Sequence, residues 1–94
     1  MKWIEMVQLR SVDSNQKLLE SNLAKLIDEV GGKRKKQIIM AYRRVQIYTD
    51  YSIHIFHNSN KIENLGSPLG VRLVNALKEF GLVNHSVWAE IHSK

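Results

Sequence analysis

No cysteine occurs in the 94 residues. That absence excludes disulfides, thiolate catalysis and zinc sites built on sulfur, and it accords with a reducing compartment. No apolar run approaches the ~20 residues that span a bilayer. The opening residues Met1-Lys2-Trp3-Ile4-Glu5 have neither the apolar segment nor the small-residue cleavage site of a secretory leader. A cytoplasmic address is therefore the expectation. Internal repeats and low-complexity tracts are missing too. What remains is one domain's worth of chain, 1–94, with 44% hydrophobic residues, enough for one modest core.

The net charge of +5 is local. Lys33, Arg34, Lys35, Lys36, Arg43 and Arg44 lie between positions 33 and 44 with no acid among them, and the rest of the chain is close to neutral. A basic run this short is usually a solvated loop, and the sharper alternative is contact with an anionic partner.

Trp3 to Arg10 mixes β-branched, aromatic and polar residues without helical spacing and predicts a first strand. Asp13 and Gln16 stand at capping-box spacing. After them Leu19, Leu23, Leu26, Ile27 and Val30 repeat at helical intervals, and Gly31-Gly32 stops the run. Gln37 to Asn58 changes to period two, with Ile47, Thr49, Tyr51, Ile53 and Ile55 opposite Tyr48, Asp50, Ser52, His54 and Phe56. Its length predicts two antiparallel strands with a turn inside Val45 to Asp50, although no Asn-Gly or Gly-Gly marks it. Ser67 as N-cap and Pro68 at the first helical position open a second helix. Leu69, Leu73, Leu77 and Phe80 form its buried stripe, and Gly81 ends it. His85 to His92 alternates as the last strand, with Val87, Ala89 and Ile91 opposite Ser86, Trp88 and Glu90.

Strand, helix, strand, strand, helix, strand is the order of a ferredoxin-like α+β sandwich: one antiparallel sheet with both helices on one face. The apolar sets Ile53, Ile55, Val87, Ala89 and Ile91 belong under the helices. Asp50, Ser52, His54, Phe56, Ser86, Trp88, Glu90 and His92 then turn to the uncovered face, joined by Met40 and Tyr42. A sheet face that mixes aromatics with hydroxyls, a histidine and carboxylates is where function is to be sought.

On Tyr48-Thr49-Asp50-Tyr51-Ser52-Ile53-His54-Ile55-Phe56-His57 and His85-Ser86-Val87-Trp88-Ala89-Glu90, within this element order, the chain resembles the dimeric α+β barrel superfamily. That group includes antibiotic-biosynthesis-monooxygenase-like and stress-responsive barrel proteins. The resemblance implies a homodimer whose sheets enclose a cavity for a small, partly aromatic molecule. It carries over no catalytic motif. An enzyme of this kind is expected to be an oxygenase or isomerase that uses no organic cofactor and no metal. A single-stranded RNA module has the same element order and stacks bases on its open sheet. Here the third strand lacks that module's glycine-aromatic pattern, and Asp50 and Glu90 would repel phosphates. A purely structural dimer is the third reading.

Among the residues that carry chemistry, His54 is the acid–base candidate, since it shares a face with Asp50, Ser52 and Trp88. Tyr42, Asp50, Ser52, Phe56, Trp88 and Glu90 are the expected ligand contacts. His57 falls on the helix-side parity at a strand end, where exposure is expected. His54 and His57 face opposite ways, as do His85 and His92, so no shared metal site is expected. Gly66-Ser67-Pro68-Leu69-Gly70 opens a helix, and Ser67 there is a weak candidate for holding an anion. It has neither the lysine of a phosphate-binding loop nor a GxGxxG spacing.

Overall fold

A computed structural model describes residues 1–12, 15–31 and 38–94. The order is β1 (Lys2–Ser11), α1 (Gln16–Gly31), β2 (Ile38–Arg43), β3 (Asp50–Asn58), α2 (Pro68–Leu77), a 3-10 turn at Lys78–Phe80, and β4 (Gly81–Ala89). The four strands form one antiparallel sheet in the order β2-β3-β1-β4. Both helices pack on one face, which is the ferredoxin-like α+β arrangement the periodicity predicts.

Each element starts and stops for a local reason. The Asn15 side chain accepts from the Leu18 N–H at 3.1 Å and caps α1, so the helix begins at Gln16. Asp13 and Gly32, read from the sequence as helix signals, lie outside the described residues. Ser67 caps α2 by accepting the Gly70 N–H at 3.0 Å, with Pro68 as first helical residue. Leu19 and Leu23 of α1 and Leu73 and Leu77 of α2 meet Val7, Leu9, Tyr51, Ile53 and Ile55 from the sheet in one buried cluster. Leu26, Ile27, Leu69 and Phe80 pack around its edge.

The period-two stretch divides as expected between β2 and β3. Its turn is longer than a tight hairpin: β2 ends at Arg43 and β3 starts at Asp50. The Asp50 N–H bonds the Ile47 carbonyl at 3.2 Å, and Gln46 sits at φ 70°. Glutamine in the left-handed region explains why no glycine marks the turn. Ile47 and Thr49 therefore belong to the connection, not to a strand.

The last strand differs from expectation at both ends. It begins at Gly81, directly after the 3-10 turn, and stops at Ala89. Ile91, expected under the helices, is 98% exposed. Glu90 and His92 lie past the strand, and the Glu90 N–H makes the closing bond to the Lys2 carbonyl at 2.9 Å. Among the described residues, no helix is long and apolar enough to cross a membrane.

Candidate functional site

Alternation along β1 divides its residues between two sites. Trp3, Glu5, Val7 and Leu9 point to the helices and are buried. Ile4, Met6, Gln8 and Arg10 point to the open face. Hydrophobic neighbours suit three of the first set. The fourth, Glu5, is a carboxylate with 0% exposure, and a bare buried charge would not survive there.

Four donors surround it. Ser67 gives its N–H to Oε1 at 2.9 Å and its hydroxyl to Oε2 at 2.5 Å. His57 Nε2 lies 2.6 Å from Oε2 and His85 Nε2 lies 2.9 Å from Oε1. A carboxylate only accepts, so both rings must carry their proton on Nε2. All four lone-pair positions of Glu5 are thereby filled. Burial pushes the Glu5 carboxyl up, but the Ser67 hydroxyl, His57, the Ser67 N–H and His85 together outweigh it and leave the group below its ordinary 4.5.

This arrangement corrects two expectations. Ser67 does hold an anion at a helix N-terminus, and that anion is the chain's own Glu5. His57 is not exposed at its strand end: it is 8% exposed and stacks on Trp3, with ring centroids 3.9 Å apart and planes 13° from parallel. Both glycines beside Ser67 are needed for the approach. A Cβ on Gly66, at φ +96°, would lie 2.2 Å from His85 Cε1, and one on Gly70 would lie 2.0 Å from Glu5 Oε1. Among the described residues, no group of three or more His, Asp or Glu side chains is placed to hold a metal ion. His57 and His85 address different oxygens of a carboxylate that has no acceptor capacity left.

The direction of the Glu5 shift sets a pH dependence. A carboxyl lowered on folding contributes stability that is complete above its unfolded value and is lost as pH falls through the folded one. Stability should thus hold down to about pH 4.5 and decline below it. Urea titrations at stepped pH should show this acid limb flattened in Glu5→Gln; an unchanged limb would assign the loss to other groups.

The open face is organised in rows fixed by the strand register. Ile38, Phe56, Ile4 and Trp88 form the first row, an apolar one. Met40, His54, Met6 and Ser86 form the second. Tyr42, Ser52, Gln8 and Asn84 form the third, which is polar. Asp50, Arg10 and Leu82 form the fourth, where Arg44 joins from the turn. The first row borders a hollow of ≈ 520 Å³ that reaches Glu90, and the third and fourth border one of ≈ 540 Å³.

Of the residues predicted for this face, Glu90 and His92 lie past the end of β4 and the others are on it, although they do not form one cluster. His54 Nε2 pairs with the Ser52 hydroxyl at 2.9 Å, and its ring lies 4.9 Å from Tyr42 and 6.2 Å from Phe56. Trp88 gives its indole N–H to Ser86 at 2.8 Å. Asp50 is away from His54 and is held by Arg10 at 3.2 Å and Arg44 at 3.1 Å. The bond from Arg10 is foremost among those that keep its carboxyl below the usual range. Asp50 and Glu90 stand at opposite ends of the sheet and form no carboxylate pair. Of the basic segment, Lys33 to Lys36 lie outside the described residues. Arg43 pairs with Glu20 at 3.0 Å, and Arg44 with Asp50.

Reading the sequence missed Glu5 and His85 on the helix side and Ile4, Met6, Gln8 and Arg10 on the open face. The signal is present in the sequence: Glu5 has the parity of Trp3, Val7 and Leu9, and alternation along the strand puts all four on one face.

No protein-family model matches the chain, and no curated protein matches it. Among solved structures it is similar to SnoaB, a cofactor-independent oxygenase from Streptomyces nogalater. The TM-score is 0.69 over 98% of this chain and 95% of that one, at 11% sequence identity. A likeness at that identity is a likeness of fold.

Proposed function

We propose that two copies stack their open sheet faces and enclose a small, partly aromatic molecule beside His54, as a cofactor-independent oxygenase or isomerase. The observation that carries this reading is the unpartnered apolar half of the sheet. Ile38 is 65% exposed and Trp88 56%, and with Phe56 and Ile4 they form one continuous row. Small monomers seldom leave such a patch in water, and a self-complementary face is the usual basis of a two-fold dimer.

Inside the enclosure the chemistry falls to His54. An imidazole can take up and return a proton, and the Ser52 hydroxyl at 2.9 Å fixes this ring's orientation. Proton removal from a bound ring system is the step common to both reaction types. Tyr42, Phe56 and Trp88 supply the ring contacts, and the similarity in fold to a cofactor-independent oxygenase supports the oxygenase form.

Sedimentation at micromolar concentration tests the assembly on which this depends. The wild-type chain should run as two copies, and Trp88→Glu or Phe56→Asp, each placing a charge in the apolar row, should run as one. A wild-type monomer of 10.9 kDa would overturn the reading.

A further inference from the structure

We propose that the molecule bound on this face carries an anionic head, which Arg10 and Arg44 receive, and an apolar, ring-bearing body lying toward Phe56 and Trp88. The inference rests on the sheet-face reading above and adds the polarity and orientation of the ligand. Its basis is the gradient along the strands. Successive rows are two residues, or about 6.7 Å, apart, so the apolar row and the arginine row stand about 20 Å from one another. Long arginine side chains take up part of that span.

Charge at the far end is unbalanced. Arg10 Nε and Arg44 Nη1 both address Asp50, one on each carboxylate oxygen. One carboxylate neutralises one guanidinium, and a positive charge is left over. Asp50 is the shielded member of the trio, with 17% of its side chain exposed against 67% for Arg10 and 57% for Arg44. The arginines thus keep donors turned outward over the hollow they share with Gln8, Ser52 and Asn84. A carboxylate or sulfonate can take those donors while its body extends along the sheet over His54. A cationic head would meet the surplus charge, and a neutral one would gain nothing from it.

Two probes of matched shape test this by fluorescence: anilinonaphthalene sulfonate and its uncharged counterpart phenylnaphthylamine. The sulfonate should bind about fivefold tighter at low salt, the scale of one partly screened ion pair, and lose that advantage at high salt. The double variant Arg10→Gln, Arg44→Gln should erase the difference. Asp50→Asn, which adds to the surplus, should enlarge it. Equal affinities in the wild type, or a preference indifferent to all three changes, would overturn the anionic head. Trp88→Ala separates this from the reading beneath it, for it should weaken both probes alike. If Trp88→Ala leaves both probes unaffected, the sheet face is not the site and both conclusions fail together.

Discussion

Replacing Glu5 by Ala is expected to cost about 4 kcal/mol of folding stability, a large part of what a chain of this size possesses. The variant removes the shared acceptor of four donors at once: the Ser67 N–H, the Ser67 hydroxyl, and Nε2 of His57 and of His85. Water does not replace it easily, since His57 and Ser67 are themselves buried. Breaking a buried ionic or hydrogen-bonded network by deleting one member costs about 3–5 kcal/mol. A domain of 94 residues has a total stability on the order of 5–14 kcal/mol. Glu5→Gln should fall between the variant and the wild type. Its amide oxygen keeps two donors, but its NH2 turns donors toward the other two. Urea denaturation should give the order wild type, Gln, Ala. An Ala variant within about 1 kcal/mol of wild type would mean the network adds nothing net.

Gly70→Ala should destabilise by about 2–3 kcal/mol, and the sign is the point. Alanine in place of glycine at an ordinary helical position stabilises by about 1 kcal/mol. Here the new methyl would lie 2.0 Å from Glu5 Oε1 and 2.7 Å from its Cδ. A carboxylate held by four hydrogen bonds cannot swing aside, so α2 must move off the sheet, with the cost of overpacking. Combining the change with Glu5→Ala supplies the control. Once the carboxylate is gone the methyl occupies vacated space, and the double variant should be more stable than the two single losses predict. Strict additivity would show that the clash is relieved elsewhere.

The architecture was readable because its signals are local and repeat. Leu19, Leu23, Leu73 and Leu77 mark the helical faces by spacing alone, and Ile53 and Ile55 assign β3 to the correct parity, which turns His54 to the open face. The buried network was not readable, since it is assembled from four places distant in sequence. Glu5, His57, Ser67 and His85 have in common only that the register and the α2 N-terminus converge on one point. A glutamate in a strand is ordinarily a solvated residue, so nothing nearby announces its burial. His57 is hidden for the same reason: its position at the end of β3 suggests exposure, and the Trp3 ring that covers it comes from the neighbouring strand. The end of β4 failed differently. Alternation continues through Ile91, but β1, its pairing partner, runs out at Lys2.

The two tryptophans occupy opposite sides of the sheet and make the chain its own optical instrument. Trp3 is buried and stacked on an imidazole ring, whereas Trp88 stands on the open face with more than half its surface in water. A collisional quencher such as acrylamide therefore reaches one emitter and not the other. Quenching of Trp88 should fall when the open face is covered, by a second copy or by a bound molecule. Trp3 emission should follow the integrity of the helix side, through any loosening of the His57 stack. Assembly and unfolding can be followed separately in one unlabelled sample.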